Sequence, residues 1–434
     1  MNDESDHPRQ PGRRQFLTTA ALAAAATAVG SAPGAQAAKA PGDKTGHAAA
    51  ATGGDAEPFW GTHQGGIATR QQGHVYFASF DVVAENRDQV IALLRAWTDA
   101  AARLAQGQTA AALTEDPAGE PLDSGEALGL PPRRLTLTFG FGPGLFIKDN
   151  VDRYGLAQHR PEALIDLPRF NGDQLVAERT GGDLCVQACA DDPQVAFHAV
   201  RQLARLAYPA AKMRWAQTGF LAGFGNKETP RNLMGFKDGT MNVAVDDPAA
   251  LEQFVWVGEE GGWMKHGSYM VARPIRIALE HWDRMKLAFQ EQVVGRHKLS
   301  GAPLGGQHEK DDLNLDANDA DGNPLIPENA HARLGAPASN DGAQILRRGY
   351  SYDNGLSFVA ERWPPWRQGM EFDAGLMFFC YQRDPRTGFV KVFDKMSKFD
   401  MMNQFVTHIG GGLFACPAGA AEGGYIGQAL FESA

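Results

Sequence analysis

The run Gly235-Phe236-Lys237-Asp238-Gly239-Thr240 places one carboxylic acid between two glycines, directly after the apolar pair Leu233-Met234. Two readings follow from those residue types. Asp-Gly is a common tight-turn signal, which makes the run a hairpin tip. Glycines without a Cβ also let backbone approach a flat ligand, leaving Asp238 as a lone acid beside it. Two further residues stand far along the chain. His331 sits in Glu328-Asn329-Ala330-His331-Ala332-Arg333-Leu334, where an acidic stretch returns to apolar chain; Arg347 sits in Ile345-Leu346-Arg347-Arg348-Gly349-Tyr350, at the end of an expected strand. An acid, an imidazole and a guanidinium offer proton transfer, metal ligation and fixed positive charge. The sequence holds no Gly-x-Ser-x-Gly elbow, His-Glu-x-x-His helix, phosphate-cradling loop or dinucleotide fingerprint.

The elements that must position these residues emerge from periodicity. His74 to Val83 and Arg134 to Phe141 alternate as strands, and Arg87 to Leu104 has helical spacing. Asp183 to Ala190 reads as a strand that leads into Asp192-Pro193 and an amphipathic helix through Leu206, with Asp192 as N-cap. In the second half Ser268 to Leu279, Ala343 to Tyr350 and Gly375 to Gln382 read as strands, the last running into Asp384-Pro385 and a helical stretch from Gly388 to Phe405. Strand, Asp-Pro, helix therefore occurs once in each half, the mark of a duplicated α+β unit with antiparallel sheets. Gly107 to Gly129 and the more acidic Gly305 to Asn329 read as solvated insertions. A calcium loop in the second fails at its first ligand, where Ala317 stands.

With 434 residues the chain can form two domains or one large one. Arg13-Arg14-Gln15-Phe16-Leu17, an alanine-rich run to Val29 and Ala35-Gln36-Ala37 read as a twin-arginine signal peptide over 1–37, too short and alanine-rich to span a bilayer. Residues 38–57 read as a flexible linker. The expected location is therefore periplasmic or extracellular, with no membrane span after cleavage. The net charge of -10 is unchanged by cleavage, because Arg9, Arg13 and Arg14 leave together with Asp3, Glu4 and Asp6. An acidic chain without long basic patches argues against nucleic acid or anionic lipid as a partner. Its four cysteines, Cys185, Cys189, Cys380 and Cys416, include no Cys-x-x-Cys pair and are expected to be buried free thiols.

Asp238, His331 and Arg347, in this order, resemble the dye-decolourising haem peroxidases, which carry a Gly-x-x-Asp-Gly motif. The resemblance extends over His63-Gln64-Gly65-Gly66-Ile67, Leu135 to Gly142, Gly181-Gly182-Asp183-Leu184, Arg231 to Thr240 and Gly375-Leu376-Met377-Phe378. It is strongest toward the exported deferrochelatase/peroxidase subgroup of ferrous-iron uptake systems. The implied fold is α+β: two ferredoxin-like halves, 58–230 and 231–434, with antiparallel sheets packed around a haem. The implied cofactor is haem b, and the implied reaction is oxidation of an unidentified organic or inorganic donor by hydrogen peroxide through a ferryl intermediate.

By the same resemblance His331 is the proximal iron ligand, with Asp400 as the carboxylate that takes its second N–H. Asp238 is the acid/base that moves a proton between peroxide oxygens, and Arg347 supplies charge to peroxide, with Arg348 as the alternative. Gly239, Thr240 and Met241 bring backbone to the haem, and Leu376 and Phe378 wall the pocket. Ala336-Pro337-Ala338 stand where relatives commonly have Asn-Pro-Arg, which predicts weaker haem retention here. Trp363 and Trp366 are candidates for relaying electrons from bulky donors. Deferrochelation or haem and iron handling, with iron-uptake proteins as partners, is the alternative function, and a homo-oligomer is compatible with either.

Overall fold

The computed structural model describes residues 55–221, 228–360 and 368–433. The expected signal peptide, most of the expected linker, Trp363 and Trp366 lie outside them. The first half runs β1 (His74–Val82), α1 (Arg87–Ala105), β2 (Thr136–Phe141), β3 (Leu184–Ala190), α2 (Pro193–Ala207) and β4 (Ala211–Phe220). Its strands are antiparallel in the order β4-β1-β3-β2. Local chemistry sets the helix starts. Asn86 accepts from the Gln89 N–H to open α1, and Asp192 accepts from the Gln194 and Val195 N–H groups to open α2, with Pro193 in its first turn. Val90, Leu93, Leu94, Trp97, Ala101 and Leu104 recur at helical spacing on α1 and bury that face against the sheet.

The second half runs β5 (Ser268–Ile277), the short helix α3 (His331–Gly335), β6 (Leu346–Arg347), β7 (Tyr350–Ala360), β8 (Gln368–Gln382), α4 (Phe389–Phe399), β9 (Val406–His408) and β10 (Gly412–Cys416). The order β7-β8-β5-β10 repeats the first half's arrangement: read from one edge, each half places its second, third, first and fourth main strand in turn. Both halves are ferredoxin-like, and the fold is α+β. They join where β2 meets β10, at Phe141 and Ala415, and where β4 meets β7, at Phe220 and Ser351. Because β5 also pairs with β8, eight strands of the ten-stranded sheet close into a barrel. Phe77 and Trp215 from the first half pack inside it with Phe379 and Phe414 from the second. All four cysteines are buried free thiols.

Several expected elements differ in extent. The strand expected over Ala343 to Tyr350 is only the two-residue β6, and the long β7 begins where it was to end. Within β7, Asp353-Asn354-Gly355 form a bulge that shifts the β7–β8 register, with Gly355 at φ +84°. The expected helix Gly388 to Phe405 stops at Phe399, where Asp400 caps a following 3-10 turn. Asp384 is not its N-cap; its carboxylate grips Arg386 instead, at 2.8 Å.

Candidate active site

In the first half the space between sheet and helices is solid core, whereas in the second half it opens into a cavity of about 290 Å³. Strand alternation decides what faces it. Leu376 and Phe378 on β8 and Ile275 and Ile277 on β5 line it, while Met377 and Phe379 point the other way into the barrel. Phe389, Val392 and Phe393 of α4 close the helix side.

His331 opens α3, and its Nδ1 lies 2.7 Å from Asp400 Oδ2. Asp400 is fixed between the end of α4 and the next turn: its N–H donates to Met396 O at 3.0 Å, and its Oδ1 accepts from the Met402 N–H at 2.8 Å. Burial opposes a charge on the ring, but the charge and hydrogen bond of Asp400 outweigh it, so the His331 pKa lies above its ordinary value; Arg347 and Asp238 pull in opposite directions. The side chain keeps 37% of its surface accessible although protein surrounds the ring, because its free face opens on the cavity. Nδ1–H donates to Asp400, which leaves the Nε2 lone pair for a metal.

A second histidine on the same wall, His408, has the reverse polarity. Arg273 Nε–H donates to His408 Nδ1 at 3.2 Å, which puts the ring proton on Nε2 and removes the lone pair a metal needs. Burial first, and the Arg273 charge second, hold its pKa well below the ordinary value.

Arg347 is pinned by Asn242, whose Oδ1 accepts from the Arg347 N–H at 2.8 Å and whose Nδ2 donates to Arg347 O at 2.7 Å. Its Nη2 lies 3.1 Å from Asp238 Oδ1. Arg348, the alternative, points into the barrel. It is buried there, donating to Thr69 O and to Gln72 Oε1.

The Asp238-Gly239 pair is not a hairpin tip. The tip lies earlier, at Asn232 to Gly235, because Asn232 Oδ1 accepts from the Met234 and Phe236 N–H groups and Gly235 takes φ +85°. Asp238 follows the Arg231–Lys237 bridge, with its N–H on Pro230 O at 2.8 Å and its side chain left for Arg347. Gly239 has φ +105°, and a Cβ there would meet no protein atom within 4 Å, since the cavity lies beyond.

Asp238, Gly239, Thr240, Met241, Ala336 and Pro337 line the same cavity as His331, Arg347, Leu376, Phe378 and Asp400. Ala338 does not: it is the exposed middle residue of the 3-10 turn Pro337–Ser339, which turns it away. A smaller cavity of about 50 Å³ shares Asp238, Gly239, Arg347, Leu376 and Phe378 and is lined beyond them by polar Gln71, Asn242 and Ser351. The Asp238–Arg347 pair thus borders two spaces, one roomy and largely apolar and one small and of mixed lining. Arg296, Asn242, His408 and Glu309 are site or near-site residues that sequence reasoning missed. No motif marks the first three, and Glu309 sits inside the insertion read as solvated.

This donor set fits a haem. One imidazole has Nε2 free and a carboxylate behind it, the walls are apolar, a glycine leaves room, and Arg296 and Arg347 add cationic groups at the lining.

Comparison with known proteins gives one answer over nearly the whole described chain. The profile of the Dyp-type peroxidase N-terminal domain matches residues 64–221, and that of the C-terminal domain matches 229–421. The chain is similar to the dye-decolorizing peroxidase of Thermobifida fusca, 39% identical over 385 residues that cover 85% of this chain and 84% of the relative. It is 36% identical to the deferrochelatase of Escherichia coli K12 over 389 residues, 87% of this chain and 88% of the relative. The solved structure of ferric DtpA from Streptomyces lividans superposes with a TM-score of 0.78 at 40% identity, covering 88% of this chain and 98% of that one. With that sequence likeness, that fold and this cavity, the chain belongs to the Dyp-type peroxidase family.

Proposed function

We propose that the chain is a haem b peroxidase in which His331 ligates the iron and Asp238 and Arg347 handle hydrogen peroxide. The observation that carries this reading is that the His331–Asp400 and Asp238–Arg347 pairs line one cavity. When bound, the haem supplies the iron on which the peroxide O–O bond breaks and stores the oxidising equivalents passed to the donor. Asp400 holds the His331 ring with Nε2 forward and makes it a more electron-rich ligand. Arg347 holds Asp238 Oδ1, leaving Oδ2 to take a proton from one peroxide oxygen and return it to the other, which departs as water. The guanidinium also favours the peroxide anion in the low-dielectric cavity. The small cavity beyond the pair, about 50 Å³, is of a size for a molecule such as peroxide and too small for a bulky donor.

Magnitudes support a chemical role for the pair. With Asp238 26% and Arg347 32% exposed, their bridge contributes at most about 1 kcal/mol to stability. As acid/base, Asp238 is asked for roughly 10²–10⁴ in rate, about 3–5 kcal/mol of barrier. Asp238→Ala and Arg347→Ala should therefore keep the haem absorption band and react with peroxide about a hundredfold or more slowly in stopped flow. Parent-like rates in both would remove the assignment.

The 36% identity to deferrochelatases favours a second reading, release of iron from intact porphyrin at the same cavity. Incubation with haemin and detection of metal-free protoporphyrin by fluorescence tests it. The N-terminal sequence supports export by the twin-arginine route.

A further inference from the structure

We propose that Glu309, reaching out of the acidic insertion, is a positioning residue that holds Asp238 in place by clasping the chain on both sides of it. Its carboxylate takes Lys237 Nζ at 2.6 Å and the Thr240 hydroxyl at 3.1 Å, and also the Thr229 hydroxyl. Lys237 directly precedes Asp238 and Thr240 follows Gly239, so one side chain brackets the acid. The next residue repeats the grip, with Lys310 Nζ donating to Thr240 O at 3.0 Å. The strap is anchored in turn, because buried Arg296 donates Nη1 to Glu309 O at 3.0 Å and to Gly301 O at 2.9 Å.

This contact is more than a surface ion pair. Glu309 and Lys237 are only 16% and 12% exposed, so removing one charge strands the other in a poorly solvated place. Gly239 also has no side chain to pack, and beyond it lies only cavity, so the strap supplies the order that local packing cannot. With Lys237 engaged by Glu309, Asp238 is left to pair with Arg347.

The inference rests on the proposed role of Asp238, and the test separates the two. Glu309→Gln, Glu309→Ala, Asp238→Ala and Lys237→Met are made in the full chain. Amide exchange over residues 236–242 is measured beside the rate of reaction with peroxide. Glu309→Gln should speed exchange there about tenfold, leave the α1 amides unchanged and slow the reaction about tenfold. Lys237→Met added to it should cost little more, since the two act through one contact. Parent-like exchange in both Glu309 variants overturns the proposal, as does faster exchange with a parent-like rate. If Asp238→Ala is slow while Glu309→Gln is not, only the positioning role falls. If Asp238→Ala is itself parent-like, the role of Asp238 falls and the inference falls with it.

Discussion

At the scale of single residues, the cavity separates two histidines by what faces each ring. His331 has a carboxylate at Nδ1 and His408 a guanidinium, so only the first can offer Nε2 to a metal. Asp400→Asn keeps a hydrogen bond but removes the charge behind the ring. Haem affinity should fall about 10–100-fold, which transfer of haem to apomyoglobin would measure; unchanged transfer would mean the carboxylate does not tune the ligand. Asp238, His331, Arg347 and Asp400 were legible as candidates through the family resemblance, and the structure brings all four to one cavity. Arg296 and Glu309 were not legible. They act through backbone carbonyls and a three-donor contact that bring residues 229–240 against 296–310, and a polar loop with such partners looks in sequence like any solvated loop.

At the scale of elements, strand alternation settles what the sequence left open. Arg347 and Arg348 are neighbours, so when one faces the cavity the other must face the barrel, and the β6–β8 pairing of Arg347 with Cys380 puts it beside Phe378 and Leu376. Asn242 ties this strand to the Asp238 segment by two hydrogen bonds from its side chain to the Arg347 backbone. Asn242→Ala should cost about 1–3 kcal/mol of stability in denaturant unfolding and slow the peroxide reaction as Arg347 loses its register. A stable variant with parent kinetics would show that the tie is dispensable. The Glu309 strap makes a pH prediction as well. Burial opposes its charge, but Lys237, Thr229 and Thr240 prevail and hold its pKa below the ordinary carboxylate value. Its stabilisation is therefore fully present above that ordinary value and fades as pH falls through the depressed one. The melting-temperature gap between parent and Glu309→Gln should be widest above the ordinary carboxylate value and narrow as pH is lowered below it; a constant gap would contradict it. The bulge in β7 was illegible for a related reason, since Asp-Asn-Gly serves turns and bulges alike.

At the scale of the whole molecule, two units of the same topology close one barrel and have different fates on their outer faces, one filled and one hollow. The duplicated grammar of strand and helix was visible in the sequence. The closure was not, because it depends on two edge-to-edge pairings between residues more than a hundred positions apart. Since the barrel interior is shared by both halves, heat or denaturant should unfold them in one transition, with tryptophan fluorescence and far-UV circular dichroism coinciding. Two separated transitions would mean that the halves are independently stable. The central claim is that this cavity holds a haem on His331 and uses Asp238 to act on peroxide. Rapid-mixing absorption spectra of the parent and Asp238→Ala with one equivalent of hydrogen peroxide test it most directly. A haem band is expected in both proteins, with a spectral change that is fast in the parent and about a hundredfold or more slower in the variant. Absence of the band, or equal rates in the two proteins, would contradict it.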